Sequence, residues 1–265
     1  MKKLFTFYVL CLMTVSGYAQ FSGSFNYSAG IPQASMARNI NAVHQMVLTG
    51  GYKLPRQFSF LTVGAEIGLG TYANMRVPIT LSFDNSPPTS THMNYSSNTF
   101  NANAMLSVDL TRDALITPYL TVKGGMYNFH SNIRIDDPQD RDACRPLESK
   151  SILSNNTLAY TYGGGLRYQI FRNKDVCSRR QQYIDFQITN TTGGTMEYIN
   201  TKKLKDPHQH TASISSSSGD GDEVKPLEMN FINVQSNVVH NHKVAEVFKT
   251  PLRLLDIRIG YFIAF

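Results

Sequence analysis

Apolar and polar residues alternate one by one along most of this chain. The clearest run is its last: in 255–265 the odd positions are Leu255, Ile257, Ile259, Tyr261, Ile263 and Phe265. The even positions are Asp256, Arg258, Gly260, Phe262 and Ala264, mostly charged or small. Successive side chains of a strand point to opposite faces, so this rhythm predicts one apolar and one polar face. A helix would repeat every third or fourth residue instead.

The same rhythm predicts seven earlier strands, at 21–31, 44–53, 58–72, 99–110, 119–133, 158–171 and 182–198. In the third, Leu61, Val63, Ala65, Ile67 and Leu69 oppose Thr62, Gly64, Glu66, Gly68 and Gly70. In the sixth, Leu158, Tyr160, Tyr162, Leu166, Tyr168 and Ile170 oppose Thr161, Gly163, Gly165, Arg167 and Gln169. Short connections are expected at Pro55-Arg56-Gln57, since proline cannot continue a ladder, at 111–118, and at the basic stretch 172–181. Longer ones are expected at 73–95, around Asp84-Asn85-Ser86-Pro87-Pro88, at 134–150 and at 200–228. The stretch 229–247 is expected to form a hairpin arm above the last strand.

Eight strands whose connections alternate short and long predict an all-β fold, an eight-stranded antiparallel up-and-down transmembrane β-barrel. Its turns would be periplasmic and its long loops extracellular. Closure follows from the solvent: lipid offers no partner to free backbone N–H and C=O groups, and a closed barrel has no edge. Outer-membrane lipids are therefore the first expected partner.

Composition changes this picture in three places. Lys2 and Lys3, the apolar 4–15 and Ser16-Gly17-Tyr18-Ala19 have the order of a secretory signal peptide, with cleavage expected after Ala19. That divides the chain into a leader, 1–19, and a barrel domain, 20–265. The net charge of +6 falls to +4 once the two lysines leave, and the basic residues are scattered, so nucleic acid is not an expected partner. With no Trp, any interfacial girdle must come from 14 Tyr and 15 Phe. Cys144 and Cys177 are expected at opposite ends of the barrel and hence unbonded, because a disulfide needs Cα atoms within about 7 Å.

The order Arg258-x-Gly260-x-x-Ile263-x-Phe265 at the chain end resembles the C-terminal assembly signal of Gram-negative outer-membrane barrels. The whole mature chain resembles the small barrels of the OmpA transmembrane-domain and OmpX type. That resemblance implies residence in the cell outer membrane and recognition by the barrel assembly machinery. No residues remain for the peptidoglycan-binding domain of full OmpA-type proteins, so a cell-wall tether is not implied.

Glu66, Asp109, Lys123, Arg167, Asp185, Asp256 and Arg258 fall on the predicted inner face. An eight-stranded barrel is only wide enough for its own side chains, and a confined charge without a partner costs several kcal/mol. A paired plug is one reading, a gated narrow pore the other. No catalytic, cofactor or metal site is expected. His208-x-His210 and His240-x-His242 sit in polar stretches without further ligands. Asp136-Asp137 lacks the Asp-His pair of omptin proteases. His130 and Ser131 are adjacent on a strand and so point apart, unlike the Ser-His pair of lipid A deacylases. The expected role is non-enzymatic: loops presented to a host surface or to an envelope protein or complex. A small channel, or an enzyme acting on lipid A or peptides, are the alternatives.

Overall fold

The computed structural model describes residues 20–81, 89–111, 114–136, 148–171, 181–202, 223–232 and 239–265. The expected leader, all three cysteines, Asp137, His208 and His210 lie outside them. The strands are β1 (Gln20–Pro32), β2 (Val43–Lys53), β3 (Leu61–Leu81), β4 (Thr89–Asp109), β5 (Ile116–Ile135), β6 (Glu148–Phe171), β7 (Gln181–Ile199), β8 (Glu223–Ile232) and β9 (Val239–Ala264). A one-turn helix, α1 (Met36–Asn39), lies between β1 and β2.

Every pairing is antiparallel, in the order β1 to β7 and then β9, and β9 returns to β1. Eight strands thus form the closed up-and-down barrel that the alternation predicts. The seam runs from Ser22 opposite Ala264 to Pro32 opposite Leu254, and the Phe265 N–H donates to the Phe21 carbonyl at 2.8 Å. The β8 strand pairs only with the first half of β9, making the hairpin arm beyond the barrel.

The strands are longer than expected, and all in one direction. The stretch 73–95, read as a loop, is mostly β-hairpin: β3 runs on to Leu81 and β4 begins at Thr89. Likewise β6 begins at Glu148 rather than near Leu158. The alternation does continue there, with its sense reversed. On β4 the inward residues are Asn101, Asn103, Ser107 and Asp109 in one half, but Met93 and Tyr95 in the other. Outward, Phe100, Ala102, Ala104, Leu106 and Val108 give way to His92, Asn94, Ser96 and Asn98. β5 does the same: Thr117, Thr121 and Lys123 inward become Phe129, Ile133 and Ile135. Each strand is thus greasy outside where acyl chains lie and greasy inside where water lies.

The outward apolar stretches, such as 21–31 on β1 and 116–126 on β5, match the 9–11 residues that cross a bilayer at a tilt. Leu158 and Leu69 on this belt are 78% and 63% exposed, tolerable only against lipid. Above the belt, the outward faces of β3–β6 form a polar grid. One rung is Thr71, Asn98, His130 and Ser154; the next is Asn74, Ser96, Asn132 and Ser151. The third is Arg76, Asn94, Arg134 and Ser149.

Candidate functional site: the lumen

Inward parity brings the charged side chains of distant strands together in the membrane half of the barrel. Glu66 on β3 is the centre. It accepts from Lys123 Nζ at 2.5 Å, from Arg258 Nη1 at 2.7 Å and from Asn103 Nδ2 at 3.5 Å. All three charged side chains are at most 2% exposed. Lys123 also donates to Gln187 Oε1 at 3.3 Å. Asp256 accepts from Thr191 Oγ1 at 2.8 Å and Ser28 Oγ at 3.5 Å, two positions along the same face from Arg258.

A second cluster lies toward the short turns. Asp109 accepts from Arg167 Nη1 at 2.8 Å and Lys53 Nζ at 3.0 Å. The Arg167 guanidinium is held between two rings, 4.0 Å from the Tyr119 centroid and 4.2 Å from that of Phe262. Its Nε lies 3.9 Å from Asp185, which accepts from the Tyr119 hydroxyl at 2.8 Å. The Tyr119 ring fits because Gly165 faces it: a Cβ there would meet the ring at 2.7 Å.

Three carboxylates, Glu66, Asp109 and Asp185, therefore form ion pairs with four cations, Lys53, Lys123, Arg167 and Arg258, while the fourth, Asp256, is held by the hydroxyls of Thr191 and Ser28. Lys53 was missing from the sequence reading, although β2 carries it on the same parity as Val43, Gln45 and Val47. Tyr119, Gln187 and Phe262 were also missed, since nothing in a strand pattern marks an uncharged residue as a partner. Ser107 Oγ, Asn26 Oδ1 and Arg167 Nε have no hydrogen-bond partner within the protein and border a cavity of about 20 Å³. That space holds about one water molecule.

Above the charges the lumen turns apolar. Tyr72, Tyr127, Phe129, Met196, Leu252 and Leu254 fill it, and Met36 and Ile40 close it from α1. Two of the hydroxyls buried here are paired, Tyr72 with Ser131 at 2.8 Å and Tyr198 with Thr250 at 2.9 Å, whereas that of Tyr127 has no hydrogen-bond partner among the described residues. α1 is pinned by the residues that follow β7. Thr201 N–H donates to the Asn39 carbonyl at 3.0 Å, and Lys202 Nζ donates to that of Ala37 at 2.5 Å.

The remaining sequence candidates are dispersed. His130 faces outward, 3.1 Å from Asn128 Oδ1, while Ser131 is buried beside Ser97 and Tyr72. Asp136 takes Arg76 at 3.3 Å and Arg134 at 3.5 Å. On β9, Arg258 and Gly260 point inward and Ile263 outward, and the exposed Phe265 ends the chain. A side chain at 260 would run into Asn26. Among the described residues no three His, Cys, Asp or Glu gather as a metal set.

No family model and no curated protein matches the sequence. Solved structures do. A major outer membrane protein from Thermus thermophilus is 12% identical, with a TM-score of 0.40, 93% of this chain and 99% of that chain covered. Ail, the attachment invasion locus protein of Yersinia pestis, solved with the heparin analogue sucrose octasulfate, is 10% identical at a TM-score of 0.35, covering 93% and 97%. Neisserial surface protein A is 11% identical at 0.29, covering 91% and 95%. The chain's own register carries the fold: eight antiparallel strands closed on themselves, apolar outside and polar within, the architecture of an outer-membrane-type barrel.

Proposed function

We propose that this protein is an integral outer-membrane barrel without enzymatic activity, whose sealed lumen serves as a rigid mount for its outer end. The leader 1–19 directs export and is cleaved after Ala19, and the assembly machinery reads Arg258, Gly260, Ile263 and Phe265. The outer end, strands and loops together, is presented to an envelope or host protein.

The observation that supports this reading is the double seal. Below, four cations pair with Glu66, Asp109 and Asp185 around a cavity sized for about one water; above, Tyr127, Phe129 and α1 close the bore with hydrocarbon. Stacked seals suit a support rather than a conduit, and function then falls to the surface such a scaffold carries.

Planar-bilayer recording tests the seal: the purified protein gives no stable conductance step, and a reproducible open level in wild type would make it a channel instead. Affinity capture from detergent-solubilised envelopes tests presentation. A specific companion is retained by the full chain and lost when 203–222 is deleted; capture that survives every such deletion would count against it. Lipid A from deletion strains, read by mass spectrometry, stays unchanged if the protein is no lipid enzyme.

A further inference from the structure

On the seam side of β9 the ladder has a gap. β1 ends at Pro32, opposite Leu254, and β8 begins at Glu223, opposite Lys249, so residues 250–253 have no strand beside them on that side. The turn after β1 and the short α1 stand there instead, with the Gln33 N–H donating to the Arg253 carbonyl at 3.0 Å. They leave a notch of about 390 Å³, lined by Ala34, Ser35, Arg38, Pro251 and Arg253. That is the size of a small-molecule site rather than of a trapped water.

The notch has the chemistry of an anion site. Two guanidiniums line it and no carboxylate does. Arg253 is exposed, and among the described residues its side chain makes no ion pair or hydrogen bond. Its neighbour across the β7–β9 ladder is Thr192; the acidic Glu197 stands opposite Lys249, two outward positions further on. Ser35 occupies the N-cap of α1, yet its hydroxyl makes no capping bond and is left to a ligand. Ala34 holds φ at 53°, a left-handed backbone that a residue with a Cβ keeps only where its surroundings demand it; this turn brings Ser35 and Arg38 to the notch. Planar guanidinium donors match two oxygens of a phosphate, and a hydroxyl can donate to a third.

Height selects the source of that phosphate. Ile31, exposed, and Leu255, opposite it across the seam, end the apolar belt on these two strands. Arg253 follows Leu255 on the same face, about 7 Å along the strand and about 5 Å along the membrane normal at the usual tilt. A headgroup layer is about 5–8 Å deep, so the notch opens at the depth of lipid phosphates. We infer that it binds the phosphomonoester headgroup of a membrane lipid. Arg253 and Ser35 take its terminal oxygens, Arg38 lends its charge at the rim, and the acyl chains run down past Ile31 and Ile257. A monoester suits the site better than a diester because it presents three terminal oxygens instead of two. The inference rests on the reading of the barrel as membrane-embedded.

The test is native mass spectrometry of the full chain, purified from membranes and released from mixed micelles. The micelles hold phosphatidic acid and phosphatidylcholine with identical acyl chains at equal concentration. Wild type retains phosphatidic acid about tenfold over phosphatidylcholine, the scale of one charge-assisted hydrogen bond. Arg253→Ala lowers the ratio to about two, while circular dichroism and heat-dependent gel migration stay as in wild type. Arg253→Lys, which keeps the charge and loses the planar fork, falls between them. Arg76→Ala, which removes an exposed guanidinium on β3, leaves the ratio unchanged. Equal retention of both lipids by wild type overturns the inference, as does a ratio that falls as far with Arg76→Ala as with Arg253→Ala. Displacement of the lipid by an equal concentration of glycerol 3-phosphate overturns the lipid source. A chain that stays folded in plain buffer and takes up neither lipid overturns the membrane reading itself, a distinguishable failure.

Discussion

Tyr72 and Ala73, consecutive on β3, both pack into the same interior cluster. Adjacent strand residues normally point apart, and the exception is a bulge: Thr71 pairs with Asn98 and Ala73 with Ser97, leaving Tyr72 without an opposite residue. The bulge has a large effect. Leu61, Val63, Ala65, Ile67 and Leu69 face lipid, yet Ala73, Met75 and Val77, on the same odd parity, face the core. One inserted residue transfers the apolar stripe, interrupted only at Thr71, from the outside of the barrel to its inside.

Deleting Tyr72 should therefore abolish the bulge without turning either half over: Thr71 and Ala73 become neighbours, still opposite Asn98 and Ser97, with Met75 and Val77 inside and Asn74 and Arg76 outside. The expected cost is the lost ring packing, about 3–5 kcal/mol in reversible unfolding, with no new protease cuts between residues 73 and 97; cuts there would mean that the faces had exchanged. Tyr72→Phe keeps the phase and loses only the Ser131 hydrogen bond, about 1 kcal/mol in reversible unfolding.

Glu66→Gln leaves Lys123 and Arg258 facing one neutral amide in a dry site. Breaking a buried pair this way costs about 3–5 kcal/mol, measured by guanidinium unfolding in lipid vesicles. The triple change Glu66→Leu, Lys123→Met, Arg258→Met removes all three charges together and should come back to within about 1–2 kcal/mol of wild type. A triple variant no better than the single one would contradict the pairing account.

Arg167→Lys retains the charge opposite Asp109 but not the planar group between Tyr119 and Phe262. The loss expected is about 1–2 kcal/mol of stability, from stacking and the second donor. Phe262→Leu should cost less, since Tyr119 still covers one side of the guanidinium.

The two seals should act independently. Ile40→Asp opens the apolar cap and Glu66→Ala loosens the charge layer; each alone should still give a silent bilayer recording. Combined, they should leak small ions. Conductance from either single variant would mean that one layer alone does the blocking.

Much of the barrel could be read from 255–265 and its seven counterparts, because lipid outside and polar groups inside enforce strict parity. Parity also assigned a face to each of the seven interior charges. It could not say who meets whom: Arg258 and Glu66 are 192 residues apart in sequence, and only closure brings them to 2.7 Å. Lys53 was readable by the same parity and was overlooked because it ends its strand. The outer half was mistaken for loops for a physical reason. Asn94, Ser96 and Asn98 look like loop composition when strands are recognised by their apolar outward face, and above the membrane that face is wet. The bulges at Tyr72, at Ile152 and at Gly193-Gly194 break parity just where the sense reverses.

The seam between β1 and β9 governs how such a molecule can be made. Phe21, on the first strand of the sheet, waits for Phe265, which follows β9, so a product that lacks β9 cannot zip shut. Pairings this remote in sequence form late and slowly. Until then both margins of the sheet offer bare ladders to any neighbour, and safe passage depends on an escort that occupies them.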